Sequence, residues 1–140
     1  MAIGNVITMG GNLRAAWLAL PLVIAMAGCA TTGPNLATSA ERLERNSYAM
    51  ERGSDTGRVR EDARRLSEET HDFRRVLGSR SVDHRDIERA FDDVSRTYHS
   101  LRDEVERSRD RLVERDFEPV TNAYLDVERE MSRSDRYARD

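Results

Sequence analysis

Histidines and carboxylates are the side chains of this chain that could bind a metal ion or transfer protons. No two of the three histidines, His71, His84 and His99, are three or four residues apart, so no single helix presents a two-histidine face. Glu68 and His71 form one Glu-x-x-His element. A two-metal site in a helical bundle needs two such elements and two further carboxylates. We therefore expect no metal site and no cofactor.

The spacing of the other reactive side chains does not indicate an enzyme. The sequence has no nucleophile elbow, no glycine-rich phosphate loop and no local Ser/His/Asp signature. His84 precedes Glu88 by four residues and His99 precedes Asp103 by four, which is the spacing of a pair on a helix surface. We expect a protein without catalytic residues.

All 23 basic residues are arginine, and they are interleaved with 26 acidic residues. The interleaving leaves no stripe of residues with a single charge sign, which argues against a nucleic-acid partner. With 35% charged residues and a mean hydropathy of −0.73, the chain is not a multi-span membrane protein. Acid–arginine pairs at the supportive four-residue spacing predict a solvated helix exterior. The predicted pairs are Glu41–Arg45, Glu61–Arg65, Asp92–Arg96 and Asp103–Arg107.

The single cysteine, Cys29, lies at the end of an apolar segment near the start of the chain. Residues 15–30 carry no charge, and Arg14 is the one charged residue before them. These sixteen residues are short for a helix across the bilayer, which needs roughly twenty. Their length and the preceding charge are typical of a signal peptide.

The run Met26-Ala27-Gly28-Cys29 resembles the lipobox of bacterial lipoproteins. The resemblance implies cleavage between Gly28 and Cys29, acylation of Cys29, and a membrane partner held through the acyl chains. Two or three such chains anchor a protein stably. An uncleaved membrane anchor with an incidental cysteine is the alternative, and translation from Met9 would give a shorter leader.

The expected organisation is a signal peptide over 1–28, a lipidated cysteine and tether over 29–38, a helical domain over 39–133 and a frayed tail over 134–140. Ala30 stands where an aspartate retains lipoproteins in the inner membrane in enterobacteria-like sorting. The expected location is therefore the cell envelope, facing the periplasm, with the outer membrane favoured over the inner.

Beyond the tether, apolar residues recur at alternating spacings of three and four, which predicts an all-α fold. Ser81 and Asp116 are candidate N-caps, and Pro119 indicates a break near residue 116. These helices and turns predict an antiparallel bundle of three or four helices with coiled-coil-like seams. One kinked helix over 82–133, or an elongated coiled coil with a partner, is the alternative. The expected helices are about 39–52, 58–77, 82–115 and 117–133.

The apolar stripes of these helices define a predicted core seam. We expect the ring of Phe91 to be enclosed by the second helix, near Leu66 or Phe73. The seam consists of Leu66, Phe73, Leu77, Ile87, Phe91, Val94, Tyr98, Leu101, Val105, Phe117, Val120, Tyr124 and Val127.

These features favour a cell-envelope lipoprotein whose helical domain is a structural or protein-interaction module, binding a protein partner or a second copy through its helices. The chain contains no lysine. We therefore expect none of the covalent peptidoglycan linkage that murein lipoproteins make through a C-terminal lysine. A periplasmic helical-bundle chaperone or stress-response protein is the alternative, and a metal-binding bundle is less favoured.

Overall fold

A computed structural model describes residues 34–137, and in this part of the chain the protein forms four α-helices and no strand. The predicted all-α bundle is therefore confirmed, with four helices rather than three. The turns between helices are short, covering residues 54–56, 78–83 and 109–110. The helices are α1 (Pro34–Gly53), α2 (Gly57–Leu77), α3 (His84–Ser108) and α4 (Arg111–Tyr137).

Short turns make successive helices antiparallel neighbours, and the four helices form a closed ring. In that ring α1 packs against α2 and α4, α2 packs against α3, and α4 closes against α3. Arg42 on α1 pairs with Asp126 on α4 at 2.9 Å, and Asn46 one turn later donates to the Pro119 carbonyl at 2.8 Å. The bundle therefore runs up, down, up and down.

The core is one continuous apolar cluster contributed by all four helices. Leu77 and Phe91 are only partly buried, at the edge of this cluster. The two fully buried hydroxyls, those of Ser47 and Thr70, each donate to the backbone carbonyl four residues earlier. The predicted seam residues that are buried are Leu66, Phe73, Ile87, Val94, Tyr98, Leu101, Val105, Phe117, Val120, Tyr124 and Val127.

The first helix begins at Pro34, five residues earlier than expected. Proline suits the first position of a helix because its missing N–H would have no helical partner there. Leu36 is buried, in register with Ala40 and Leu43, and this packing extends the helix beyond the expected start. The predicted tether over 29–38 is therefore wrong for residues 34–38, which are helical.

The break between the third and fourth helices lies at Arg109 and Asp110, not near Asp116. Arg109 takes a left-handed conformation (φ 52°), and the Asp110 carboxylate accepts the backbone N–H of Leu112 at 2.8 Å. Pro119 lies inside α4. Neither 82–115 nor 117–133 is a separate helix, and 82–133 is not one kinked helix.

Two other helix ends differ from expectation by a few residues. Asp83, rather than Ser81, is the N-cap of α3, with a carboxylate oxygen 3.4 Å from the Arg85 backbone nitrogen. The last helix continues to Tyr137, so residues 134–137 are helical and not a frayed tail.

Candidate functional site

Stacked aromatic rings fill the interface between α3 and α4. The rings of Tyr98 and Tyr124 are nearly parallel, with centroids 3.8 Å apart. Phe117 stacks on Tyr98 at 5.6 Å, and Phe91 lies 6.1 Å from Tyr124. Phe91 also lies 6.0 Å from Phe73 on α2, but its ring is only partly buried, so the expected enclosure of this ring by the second helix is wrong. The α3 and α4 backbones approach closely at fewer places than those of the other adjacent helices.

Both tyrosine hydroxyls in this stack have partners on the opposite helix. The Tyr124 hydroxyl lies 2.8 Å from the Ser95 hydroxyl, and the Tyr98 hydroxyl donates to Thr121 at 3.3 Å. Burial raises the pKa of Tyr124, and the nearby Glu128 carboxylate raises it further, against the lowering effect of the Ser95 hydrogen bond. The tyrosine rings and their hydroxyls therefore both connect α3 with α4.

Beside this stack, α3 and α4 enclose an open groove of about 420 Å³. Its apolar lining residues are Phe91, which is partly buried, and Met131, which is buried. Three carboxylates and no arginine or lysine line it. We call it the α3–α4 groove, and its lining residues are Glu88, Phe91, Asp92, Glu128, Met131 and Ser132.

The carboxylates of this groove differ from most of those elsewhere on the bundle. Arg96 pairs with Asp93 at 3.1 Å, so the predicted Asp92–Arg96 pair is wrong. Over the described residues, Asp92 and Glu128 form no ion pair, and Glu88 pairs with His84 at 3.4 Å.

Most other described carboxylates pair with an arginine, in many cases one that lies three or four residues away on the same helix. The predicted Glu41–Arg45 and Glu61–Arg65 pairs form, at 3.9 Å and 3.7 Å. The predicted Asp103–Arg107 pair does not, because the Arg107 guanidinium pairs with Glu104. Such pairs neutralise charge locally on each helix.

The histidines are distributed over separate surfaces. His71 contacts Glu44 on α1 at 3.1 Å, and His84 contacts Glu88 as predicted. His99 packs edge-on against the ring of Tyr98 at 5.4 Å and does not pair with Asp103. In the described part of the chain, no group of three or more His, Cys, Asp or Glu residues could hold a metal ion.

A charged cluster connects α1 and α2 on the opposite side of the bundle. The Glu44 carboxylate accepts hydrogen bonds from Arg74 and is 3.1 Å from His71 Nδ1. Burial alone would raise the pKa of Glu44, but the hydrogen bonds from Arg74 and His71 outweigh it and hold the pKa below its usual value. This cluster is internally neutralised and fixes the α1–α2 register.

The predicted lipidation and cleavage residues, Cys29 and Gly28, lie outside the described residues. Among the helices over residues 34–137, none is both long and apolar enough to cross a bilayer. Comparison of the chain with protein-family models, with curated proteins and with solved structures finds no match.

Proposed function

We propose that this protein is a bacterial cell-envelope lipoprotein whose four-helix bundle binds other proteins next to the membrane. The anchor part of the proposal rests on the lipobox-like run ending at Cys29. The first helix begins at Pro34, and five residues of chain span at most about 17 Å. Acyl chains on Cys29 would therefore hold the bundle close to the bilayer, on the periplasmic face and by preference at the outer membrane.

The α3–α4 groove is the observation that carries the binding role. It places the partly buried ring of Phe91 beside three carboxylates that have no arginine partner in the described structure, whereas Met131 in its lining is buried. Aromatic side chains are enriched in protein–protein interfaces, and the rims of such interfaces are polar. The α3–α4 groove is therefore the surface at which we propose that a partner protein binds.

A chaperone role has less support from the surface. A helical-bundle chaperone needs an extended apolar or basic cradle, whereas the rim of this groove is acidic. The exposed large apolar side chains are also dispersed: Tyr48 is on α1, and Leu112 and Leu125 are more than three turns apart on α4. We therefore propose an interaction module with a defined partner rather than a promiscuous one.

Mass spectrometry of the protein purified from bacterial membranes tests the anchor. We expect the N-terminal peptide to begin at Cys29 and to carry acyl mass. A Cys29→Ser variant should lose both the processing and the membrane association. If this variant is still processed and remains in the membrane fraction, the lipoprotein proposal fails.

Site-specific photocrosslinking in cells tests the binding role. One photoreactive residue would replace an exposed position on each helix of the full-length protein: Arg45, Glu68, Asp92 or Ser132, of which Asp92 and Ser132 line the α3–α4 groove. A discrete crosslinked species from at least one position is the expected result. If correctly folded, membrane-associated protein gives no crosslink from any of the four, the interaction role is contradicted.

A further inference from the structure

The turn between α3 and α4 is the shortest of the three turns in the bundle, and its backbone is strained. It consists of Arg109 and Asp110 alone, whereas the other turns cover residues 54–56 and 78–83. Arg109 has a φ of 52°, a left-handed conformation that is unfavourable for a residue with a Cβ atom. Over residues 34–137 it is the one non-glycine residue with a positive φ. Short, strained connections favour the exchange of an element between copies of a chain.

Leu112, next to this turn, is the most exposed of the large apolar side chains in the described part of the chain, at 61%. The buried stripe of α3 ends with Leu101 and Val105. In a helix that continued through the turn, the next positions of that stripe would be Ser108 and Leu112, at spacings of three and four. The bundle does not use this register, because α4 buries Val113 instead. Leu112 therefore fits a continuous helix better than it fits the turn.

The contacts that hold α4 in the bundle do not depend on the turn. Arg42 of α1 pairs with Asp126 of α4 at 2.9 Å. Tyr98 of α3 stacks on Tyr124 of α4 with ring centroids 3.8 Å apart. All four residues lie well inside their helices, so an α4 from a second copy of the chain would make the same contacts in the same place.

We infer that this chain forms a dimer in which two copies exchange α4. In each copy the turn at residues 109–110 straightens, so that α3 and α4 become one helix from His84 to Tyr137, about 80 Å long. The α4 segment of each copy then packs on α1 and α3 of the other copy. The two long helices run antiparallel and cross near residues 109–110, where Leu112 of each copy points into the junction between the two bundles. This contact between copies goes beyond the proposed function and does not require the lipid anchor.

Two hydrogen bonds stabilise the turn against this rearrangement. The Asp110 carboxylate accepts the backbone N–H of Leu112 at 2.8 Å, and the Asp110 backbone N–H donates to the Ser108 hydroxyl at 3.3 Å. Straightening breaks both, but it returns Arg109 to a helical conformation and adds helical hydrogen bonds across the turn. Substitutions at the turn should therefore shift the balance between the single bundle and the dimer in either direction.

A covalent bond between α1 and α4 distinguishes the exchanged dimer from two bundles that lie side by side. The chain contains no lysine, so Arg42→Lys introduces a single side-chain amine opposite Asp126. A carbodiimide joins such an amine to a neighbouring carboxylate as an amide, without a spacer. The full-length Arg42→Lys protein would be refolded in detergent from a mixture of isotope-labelled and unlabelled chains. We expect mass spectrometry to find labelled peptides joined to unlabelled ones between positions 42 and 126, in a share that rises with protein concentration.

Three variants of this protein test the turn itself. Arg109→Gly accepts the left-handed conformation and weakens a continuous helix. We expect the dimer association constant to fall by about a hundredfold, because an effect of about tenfold per chain enters twice. Asp110→Ala removes the hydrogen bond to Leu112 and favours the continuous helix, so the constant should rise at least about tenfold. The control Ser81→Gly alters an exposed residue of the α2–α3 turn and should leave the constant within about threefold.

A second pair of variants tests the junction between the two bundles. Leu112→Gln should weaken the dimer by about tenfold and leave the single bundle as stable as before, because Leu112 is exposed there. Leu125→Gln is the matched control, since Leu125 is also exposed on α4 but lies far from the turn, and it should leave the dimer unchanged. Circular dichroism checks the helical fold of every variant. If Arg109→Gly does not fold, Arg109→Asn, which also tolerates the left-handed conformation, takes its place.

Three results would overturn the inference. The first is a bond between positions 42 and 126 that stays within one chain at every concentration, in the Arg42→Lys protein and after Asp110→Ala alike. The second is a dimer in which every such bond lies within a single chain, because its bundles would only lie side by side. The third is an equal change in dimer formation for Arg109→Gly and Ser81→Gly, or for Leu112→Gln and Leu125→Gln.

Discussion

Tyr98 of α3 and Tyr124 of α4 stack face to face with their ring planes 5° apart, and each hydroxyl finds a partner on the opposite helix. The pair supplies apolar contact and hydrogen bonds at the same place. This arrangement joins α3 to α4 through side chains, whereas α1 and α4 are also connected by the Arg42–Asp126 ion pair. The contact between α3 and α4 therefore depends on a small number of aromatic rings.

Tyr124→Phe tests the hydrogen-bond part of this junction. The ring stays, but the 2.8 Å contact with the Ser95 hydroxyl is lost. We expect the free energy of unfolding to fall by about 1 kcal/mol, because one neutral hydrogen bond in a partly buried setting is removed. Tyr124→Ala, which also removes the ring, should cost about 3–5 kcal/mol. Equal losses in urea denaturation would show that ring stacking contributes nothing.

Phe73 and Phe91 should differ in their contribution to stability although their rings are in contact. Phe73 is fully buried and Phe91 is partly buried. Phe73→Ala should cost about 3–5 kcal/mol and lower the melting temperature by more than roughly ten degrees. Phe91→Ala should cost about half as much, because part of the ring already contacts solvent.

Arg96→Ala is the control for this pair of variants. It removes one exposed ion pair with Asp93, which is worth less than about 1 kcal/mol. Thermal melts followed by circular dichroism give the comparison. If all three variants melt at the same temperature, the buried rings are not the core of an independently folded bundle.

The Glu44 cluster should make stability depend on pH in acid. The folded-state pKa of Glu44 is held below its usual value, so its carboxylate stabilises the fold above the unfolded-state pKa. That contribution disappears as pH falls from about 5 through the lowered pKa. Glu44→Gln should therefore be less stable than the parent at pH 7, by about 1–2 kcal/mol, and the difference should shrink towards zero in acid.

The matched control for this measurement is Glu61→Gln. Glu61 is exposed on α2 and pairs with Arg65 at 3.7 Å within the same helix. Its replacement should change stability by only a few tenths of a kcal/mol at either pH. A Glu44→Gln variant whose stability deficit is the same at pH 7 and at pH 3 would contradict the assigned charge interaction.

The fold was predictable because burial depends directly on side-chain type and helical spacing. The stripe Val113, Phe117, Val120 and Tyr124 continues through Pro119 without a change of face. Its packing outweighs a hydrogen bond lost at proline, a cost of about 3 kcal/mol, so α4 is not broken there. The sequence prediction weighed the proline above the stripe and placed the turn in the wrong position.

The groove could not be predicted because it depends on distances between helices. Asp92 has an arginine four residues later, at Arg96, which favours a pair by spacing alone. Asp93 is three residues from the same arginine and is its partner in the folded chain. Pattern alone does not decide between these two spacings. The separation of α3 from α4 depends on ring stacking, for which no local signal exists in the sequence.

An even number of antiparallel helices returns the chain to the end of the bundle at which it started. The start of α1 and the end of α4 are therefore neighbours, together with the turn at 78–83. The turns at 54–56 and 109–110 lie at the opposite end. A reporter joined to the end of α4 would begin at the end of the bundle that carries Pro34, whereas a short epitope inserted at Asp110 would be displayed a bundle length away, roughly 30–40 Å.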